Sequence, residues 1–226
     1  MNSVAWPCAA PGGNGEEFAL IAGPPAAAVR LLIVPALFEE ANRTRRMLVE
    51  TMRALAAQGV ASVLADLPGC NESMAALDGQ DLVSWRAAMV AAAGHFGVTH
   101  VVSLRGGTLV APATLGGWRF EPIAGAQVLR PMLRARTLWA REEGRTETIE
   151  GLLAGGRVTG IELAGYRLSA TMVRDMQAAQ TADSAGQEDV KLADLGGAAL
   201  WLRSEPGEDG ALSTALAARL VTDVMR

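Results

Sequence analysis

The hydrophobic residues of this chain fall into short continuous runs that are separated by longer stretches with helical spacing. Residues 29–34, 60–65 and 100–104 are largely apolar, the pattern of strands that are buried on both faces of a parallel sheet. Residues 45–58 and 81–95 carry apolar positions at the intervals of amphipathic helices. Strands that alternate with helices at this spacing predict βαβ units, and therefore an α/β fold with a mostly parallel sheet and helices on both faces.

The chain is less regular at its start and in its second half. Residues 5–15 are too rich in proline and glycine for a regular element, whereas residues 17–21 predict an edge strand. Residues 126–180 are mostly helical, with a possible strand at 157–163, and a polar loop at 181–187 follows. We therefore expect residues 126–190 to form a lid-like helical insertion near the carboxyl edge of the sheet. The sheet is predicted to resume with a strand at 197–203, which a closing helix at 211–225 follows.

Composition narrows the class of protein. With 226 residues, 50% of them hydrophobic, the chain can bury one sizeable core, so we interpret residues 1–226 as a single domain. The formal net charge of −4 provides no basic surplus for nucleic acid. The longest apolar runs are too short to span a bilayer. A secretory signal would carry a basic residue near its start, but the first one here is Arg30. Two cysteines cannot form a disulfide framework. We therefore expect a cytoplasmic protein without a membrane span.

No motif for a bound group stands out. The glycine pairs at 106–107, 116–117 and 155–156 do not fit a P-loop or a dinucleotide-binding fingerprint. The histidines and cysteines do not have the spacing of metal ligands. We therefore expect neither a cofactor nor a metal, and the oligomeric state stays open, with a homodimer as one alternative.

One stretch resembles a known family. Residues 31–73, LLIVPALFEEANRTRRMLVETMRALAAQGVASVLADLPGCNES, resemble the exosortase-associated hydrolase 2 family of Gram-negative bacteria, which belongs to the α/β-hydrolase superfamily. Its members usually show Pro-Phe-x-Glu-Glu-x-Asn-x-x-Arg-Arg after an early strand and Asp-Leu-x-Gly-Cys-Gly-Asp-Ser after the next. The first motif appears here as Leu37, Phe38, Glu39, Glu40, Asn42, Arg45 and Arg46. The second appears as Asp66, Leu67, Gly69, Cys70 and Ser73, with Asn71-Glu72 in place of Gly-Asp.

This resemblance, over residues 28–170, implies an α/β-hydrolase fold. It also implies hydrolase chemistry, and about the substrate it implies only gene neighbourhoods linked to protein sorting and exopolysaccharide production.

The turn that should carry a catalytic nucleophile lacks one. Active members of the superfamily place the nucleophile in Gly-x-Ser-x-Gly between a strand and a helix. The corresponding residues are 103–107, SLRGG, which puts Arg105 at the nucleophile position. A guanidinium stays protonated and cannot attack a carbonyl. His95 and His100 both precede this turn and no histidine follows it, so the general base of a Ser-His-Asp triad is missing too.

Two interpretations of Arg105 stay open. It could bind the carboxylate or phosphate of a ligand, or it could pair with Glu39 or Glu40 from the neighbouring loop. The two glutamates follow the strand at 29–34, where the superfamily places its oxyanion-hole loop. Adjacent carboxylates in a cleft could supply acid–base catalysis, or they could cap the coming helix and pair with nearby arginines.

Ser103 and Cys70 are weaker candidates for a nucleophile, because neither has an evident histidine to activate it. The acidic residues Glu205, Glu208 and Asp209 follow the predicted strand at 197–203, but a solvated turn explains them as well.

We expect a pocket between Phe38–Glu40, Asp66–Cys70, Arg105 and the helical insertion, beyond the carboxyl ends of the strands. The residues expected to line it or to bind the ligand are Phe38, Asn42, Asp66, Cys70, Ser103 and Arg105.

Three functions fit this sequence. The first is a degenerate hydrolase that binds a small acidic or acylated ligand without turning it over. The second is an ester or thioester hydrolase in which Glu39 or Glu40 activates water and Arg105 stabilises the oxyanion. The third is an interaction module of the sorting or polysaccharide machinery, for which the fold is only a scaffold.

Overall fold

The computed structural model describes residues 1–8, 15–181 and 186–225. Its strands are β1 (Asn2–Pro7), β2 (Glu16–Ala22), β3 (Arg30–Val34), β4 (Ala61–Ala65), β5 (His100–Leu104), β6 (Gly117–Phe120), β7 (Ile161–Leu163), β8 (Tyr166–Leu168) and β9 (Gln187–Val190). Seven of them form one sheet in the order β1-β2-β4-β3-β5-β6-β9, and β7 pairs with β8 in a separate hairpin. Strands β4, β3, β5, β6 and β9 run parallel, while β1 and β2 are antiparallel additions at one side. The predicted, mostly parallel sheet is confirmed.

The helices cover both faces of this sheet. They are α1 (Glu39–Ala57), α2 (Leu82–His95), α3 (Gly125–Glu142), α4 (Ile149–Thr159), α5 (Ala170–Ala178), α6 (Leu192–Leu195) and α7 (Gly210–Val224). Leu32 and Val34 of β3 point into a core with α2, α3 and α5, whereas Leu31 and Ile33 point into a core with α1 and α7. All four side chains are at most 1% exposed, which explains the unbroken apolar run of this strand.

Local sequence explains where the helices begin. Asp81 precedes α2 and accepts the backbone N–H of Ser84 at 2.7 Å, while the Ser84 hydroxyl accepts the backbone N–H of Asp81 at 2.9 Å, a reciprocal cap. Helix α1 has no side-chain cap, but Glu39 and Glu40 lie in its first turn, where carboxylates interact favourably with the helix dipole. Among the described residues, no helix is both long and apolar enough to span a membrane.

The region predicted as an insertion holds α3, α4, the β7–β8 hairpin and α5, but its last residues belong to the sheet. Strand β9 (Gln187–Val190) pairs in parallel with β6, so the sheet resumes well before residue 197. The predicted strand at 197–203 is wrong. Gly196 and Gly197 take positive φ angles of 73° and 96°. A short 3₁₀ turn at Leu200–Leu202 then buries Leu200 and Trp201, but not Leu202, without joining the sheet.

The start of the chain differs from expectation as well. Residues 5–7, predicted to be irregular, belong to β1, whereas residues 9–14 of the same segment lie outside the described residues. The predicted edge strand at 17–21 is β2, but it is not at the edge, because β1 pairs with it from Asn2 to Pro7.

Candidate functional site

Arg105 begins a tight turn at the carboxyl end of β5. Its φ is 53°, a left-handed conformation that costs a non-glycine residue about 1–3 kcal/mol. A Cβ on Gly107 would lie 2.1 Å from the carbonyl oxygen of Pro35, so only glycine lets this turn pack against the loop that follows β3. The close approach brings the Arg105 turn and the start of α1 together.

Arg105 and Glu40 form an ion pair across these two segments. The Arg105 Nε donates to Glu40 Oε2 at 3.1 Å, and its Nη2 donates to Oε1 at 3.0 Å. The two side chains are 13% and 9% exposed. The guanidinium carbon also lies 4.6 Å from the ring centre of Trp201, in the 3₁₀ turn that was predicted to be a strand. The guanidinium is thus held between a carboxylate and an indole.

Glu39 forms an ion pair with a different arginine. Its Oε2 accepts a hydrogen bond from Arg43 Nη2 at 3.2 Å, and its side chain is 32% exposed. The carboxylates of Glu39 and Glu40 therefore bind separate guanidinium groups and do not face each other as a catalytic pair would.

A cavity of about 220 Å³, hereafter the sheet-edge cavity, lies at the carboxyl ends of β3 and β4. It is lined by Pro35, Ala36, Phe38, Ala41, Asn42, Leu67, Gly69, Cys70, Asn71 and Tyr166. None of these side chains carries a formal charge at neutral pH. Arg105 does not line the cavity, although the sequence prediction placed it in the pocket.

Aromatic rings form one side of the sheet-edge cavity. The Phe38 ring centre lies 5.5 Å from that of Trp85 and 5.4 Å from that of Tyr166. Asn42 Nδ2 donates to the Tyr166 hydroxyl at 3.0 Å. Burial raises the pKa of Tyr166, so its hydroxyl stays a neutral hydrogen-bonding group. Phe38 has a φ of 54° and a ψ of −128°, a combination that favours glycine.

Asp66 lies behind the cavity wall and supports it. It is 2% exposed and accepts hydrogen bonds from Arg45 Nη1 at 3.0 Å and Asn71 Nδ2 at 2.9 Å. Burial raises the pKa of Asp66 in spite of these donors. Asp66 thus fixes Asn71 in the cavity wall and does not itself line the cavity.

Cys70 lines the cavity as a neutral thiol. Burial raises its pKa to about 12, and the negative charges of Asp66 and Glu17 add to the shift. A thiol with this pKa is almost entirely protonated at neutral pH and is a poor nucleophile.

Glu17, which the sequence interpretation missed as a functional residue, supports the same wall. It is 1% exposed, and its Oε1 accepts a hydrogen bond from Ser73 Oγ at 2.8 Å. Ser73 Oγ in turn accepts the backbone N–H of Gly69 at 2.8 Å. The other oxygen, Oε2, is buried and has no hydrogen-bond partner within the described residues. Burial raises the pKa of Glu17, and the only hint in the sequence is an acid at an inward position of a strand.

Ser103 lies away from the cavity. Its side chain is 0% exposed, and its Oγ donates to Thr108 Oγ1 at 3.3 Å, at the far side of the Arg105 turn. The structure therefore brings Phe38, Asn42 and Cys70 into one cavity wall. It places the Arg105–Glu40 pair, Asp66 and Ser103 outside that wall.

Solved structures of other proteins share this architecture. The ferulic-acid-bound Est1E from Butyrivibrio proteoclasticus matches with a TM-score of 0.54 at 18% sequence identity, over 79% of this chain and 75% of that one. The α/β-hydrolase GrgF from Penicillium sp. sh18 matches with a TM-score of 0.54 at 12% identity, over 84% of this chain and 89% of that one. The chain has an α/β-hydrolase fold.

No family model and no curated protein matches the sequence. The likeness to solved structures concerns the fold, and the resemblance to the exosortase-associated hydrolase 2 family stays a prediction.

In the α/β-hydrolase fold the turn after β5 is where the nucleophile stands, and Arg105 occupies that turn with a left-handed φ. Neither histidine is near it. His100 begins β5, roughly 17 Å of extended strand away from Arg105, and His95 ends α2 beside Trp6 and Phe96.

In the acidic turn of Glu205, Glu208 and Asp209, the Asp209 side chain has a structural role as a helix cap. Asp209 Oδ1 accepts the backbone N–H of Leu212 at 3.0 Å and caps α7, while its Oδ2 accepts that of Ala198 at 2.9 Å. These hydrogen bonds lower the pKa of Asp209, as expected for a helix cap. Within the described part of the chain, no cluster of histidine, cysteine and acidic side chains could hold a metal ion.

Proposed function

We propose that this protein binds a small, uncharged, acyl-bearing ligand in the sheet-edge cavity and does not hydrolyse it by the nucleophilic route of its fold. The observation that carries the proposal is the pair of hydrogen bonds between Arg105 and Glu40 at the nucleophile turn. A guanidinium cannot attack a carbonyl, and one whose charge is already balanced by a carboxylate attracts a ligand anion only weakly.

The remaining candidates for a nucleophile support the same conclusion. The Cys70 thiol is neutral because its pKa is about 12, and the Ser103 hydroxyl is fully buried. Within the described residues, neither group hydrogen-bonds to a histidine that could activate it. His95 packs against Trp6 and Phe96, and His100 stacks on Trp118.

The chemistry of the cavity favours an acylated ligand over an acidic one. Phe38 and Leu67 offer apolar walls for a short hydrocarbon chain, while Asn42 and Tyr166 offer neutral hydrogen-bonding groups for a carbonyl. Arg45, behind the wall, is bound to Asp66 at 3.0 Å. An anionic ligand would therefore find no available cation in the cavity lining.

The test combines turnover with ligand-dependent melting. Wild type is assayed on p-nitrophenyl esters and acyl thioesters, and its Tm is measured with and without short N-alkyl amides, which carry a chain and a carbonyl but resist hydrolysis. We expect hydrolysis at the buffer rate and a Tm that rises with the amide, because a ligand of the native state stabilises it.

Two variants make the test specific. Asn42→Ala removes a polar group of the cavity and should abolish the rise in Tm, whereas Arg46→Ala, whose side chain is 63% exposed, should not change it. Turnover by wild type that Glu39→Gln and Arg105→Ala abolish would instead establish the hydrolase with glutamate and arginine chemistry. No rise in Tm with any probe would contradict ligand binding and leave the interaction module as the better hypothesis.

A further inference from the structure

Two more cavities continue from the sheet-edge cavity past the turn of the β7–β8 hairpin. The first, of about 210 Å³, shares Asn42 and Tyr166 with the sheet-edge cavity. The second, of about 390 Å³, shares Glu39 and Ala164 with the first, and is hereafter the Trp139 cavity. Because neighbouring cavities have side chains in common, the three lie side by side along the carboxyl edge of the sheet.

The sizes of these cavities indicate a ligand that occupies more than one of them. Pockets for small organic ligands usually measure about 300–1,000 Å³. The sheet-edge cavity, at about 220 Å³, is below that range, whereas the Trp139 cavity, at about 390 Å³, is within it. A ligand that is anchored beside Phe38 therefore has room to extend towards Trp139.

The charged side chains of the Trp139 cavity are already paired. Arg136 donates from Nε and Nη2 to Glu147 at 2.7 and 2.9 Å. Glu39 binds Arg43 at 3.2 Å, and Glu162 lies 3.7 Å from Arg167. A charged ligand would have to compete with these partners. A hydroxyl group would not, because paired carboxylates and guanidinium groups still have acceptor and donor sites to spare.

Trp139 supplies an apolar surface beside these polar groups. Its side chain is 47% exposed and lines the cavity together with Ala135 and Ala164. The guanidinium carbons of Arg136 and Arg145 lie 5.2 and 4.8 Å from its ring centre and hold the indole in place. A polyhydroxylated ligand suits this arrangement, because its C–H groups can pack on the indole while its hydroxyl groups hydrogen-bond to the paired carboxylates and guanidinium groups.

We infer that the Trp139 cavity is a second subsite for the same ligand and takes an uncharged, hydroxyl-bearing head group, while the acyl chain lies in the sheet-edge cavity. The inference rests on the proposed function and specifies its ligand as an amphiphile. A glycerol and a hexose head group share this chemistry, and the experiment distinguishes them.

The test measures dissociation constants by isothermal titration calorimetry for three probes with the same hexyl chain: 1-hexanol, 1-O-hexyl glycerol and hexyl glucoside. At least one of the two head groups should tighten binding about tenfold relative to 1-hexanol, and the larger gain identifies the preferred head group. Trp139→Ala should return that probe to the affinity of 1-hexanol. Leu138→Ala is the matched control, because Leu138 is 62% exposed on the same helix and does not line the cavity.

A second variant is needed in case Trp139→Ala disturbs the fold. Glu162→Ala removes an acceptor whose side chain is 58% exposed and should weaken the head-group probe without changing the binding of 1-hexanol. The inference is overturned if neither head group improves binding, or if both variants weaken all three probes equally. If the N-alkyl amides do not raise the Tm of wild type, or raise that of Asn42→Ala equally, the proposed function fails first.

Discussion

Arg105 and Glu40 lie 65 positions apart in the chain and meet across the carboxyl edge of the sheet through two hydrogen bonds of 3.1 and 3.0 Å. Arg105 comes from the turn after β5 and Glu40 from the first turn of α1, so the pair ties together the two loops from which an α/β-hydrolase builds its catalytic centre. The pair therefore links the start of α1 to the turn after β5.

Breaking this pair on one side should be costly. Arg105→Ala leaves the Glu40 carboxylate nearly buried without its cation, and we expect the free energy of unfolding to fall by about 3 kcal/mol or more. Urea denaturation of wild type, Arg105→Ala, Glu40→Ala and the double variant measures it. The double variant should lose less than the sum of the single losses, because each single substitution strands a charge.

The matched control is the exposed pair Arg53–Glu50, whose side chains are 61% and 36% exposed. Arg53→Ala should change the free energy of unfolding by no more than about 0.5 kcal/mol. If losses at Arg105 and Glu40 add without coupling, the two residues act independently and the pair has no structural role.

At Phe38, a glycine variant should be more stable than an alanine variant, the reverse of the usual order. Both Phe38→Ala and Phe38→Gly remove the ring from the sheet-edge cavity, but only glycine accepts a φ of 54° with a ψ of −128° without strain. We expect Phe38→Gly to be more stable than Phe38→Ala by about 1 kcal/mol in urea denaturation. At the neighbouring Leu37, which does not have a positive φ, alanine should be the more stable of the two. If the alanine variant is the more stable one at both positions, the backbone of Phe38 is not strained.

The parallel core of the sheet was predictable because β3, β4 and β5 are buried on both faces and therefore read as apolar runs. Strand β9 was missed because its sequence, Gln-Glu-Asp-Val, has one buried residue at the sheet edge. Conversely, Leu200 and Trp201 looked like part of a strand because they are buried, yet they fill the core from a 3₁₀ turn.

The site was predictable only where its residues are close in sequence. Phe38, Asn42 and Cys70 belong to two short motifs that follow neighbouring strands, and all three line the sheet-edge cavity. Tyr166 lies 124 positions from Asn42, its hydrogen-bond partner, and no local pattern indicates that contact. The choice between Glu39 and Glu40 as the partner of Arg105 also depends on side-chain directions that sequence spacing does not determine.

Cys70 should react slowly in the native protein. Because its pKa is about 12, little thiolate exists at neutral or mildly alkaline pH. In Cys8→Ser, where Cys70 is the remaining cysteine, we expect labelling by Ellman's reagent at about pH 8 to be slower by a hundredfold or more than in urea. Equal rates in the native and unfolded protein would show that the thiol is neither buried nor perturbed.

Glu17 should make stability fall as pH rises. Burial raises its native pKa above the ordinary value of 4.5, so above that value the unfolded chain releases this proton before the native protein does. The stabilisation by the neutral Glu17 side chain is fully present below pH 4.5 and is lost as the pH rises through the native pKa. Asp66, whose pKa is also raised, adds a further loss of stability above pH 3.8. Glu17→Gln, which cannot ionise, should match wild type at about pH 4 and be more stable at about pH 8. Urea denaturation at both pH values measures the difference, and Glu142→Gln on the exposed end of α3 should show none. A Glu17→Gln variant that is less stable than wild type at the higher pH would mean that the buried carboxylate is stabilised by groups other than Ser73.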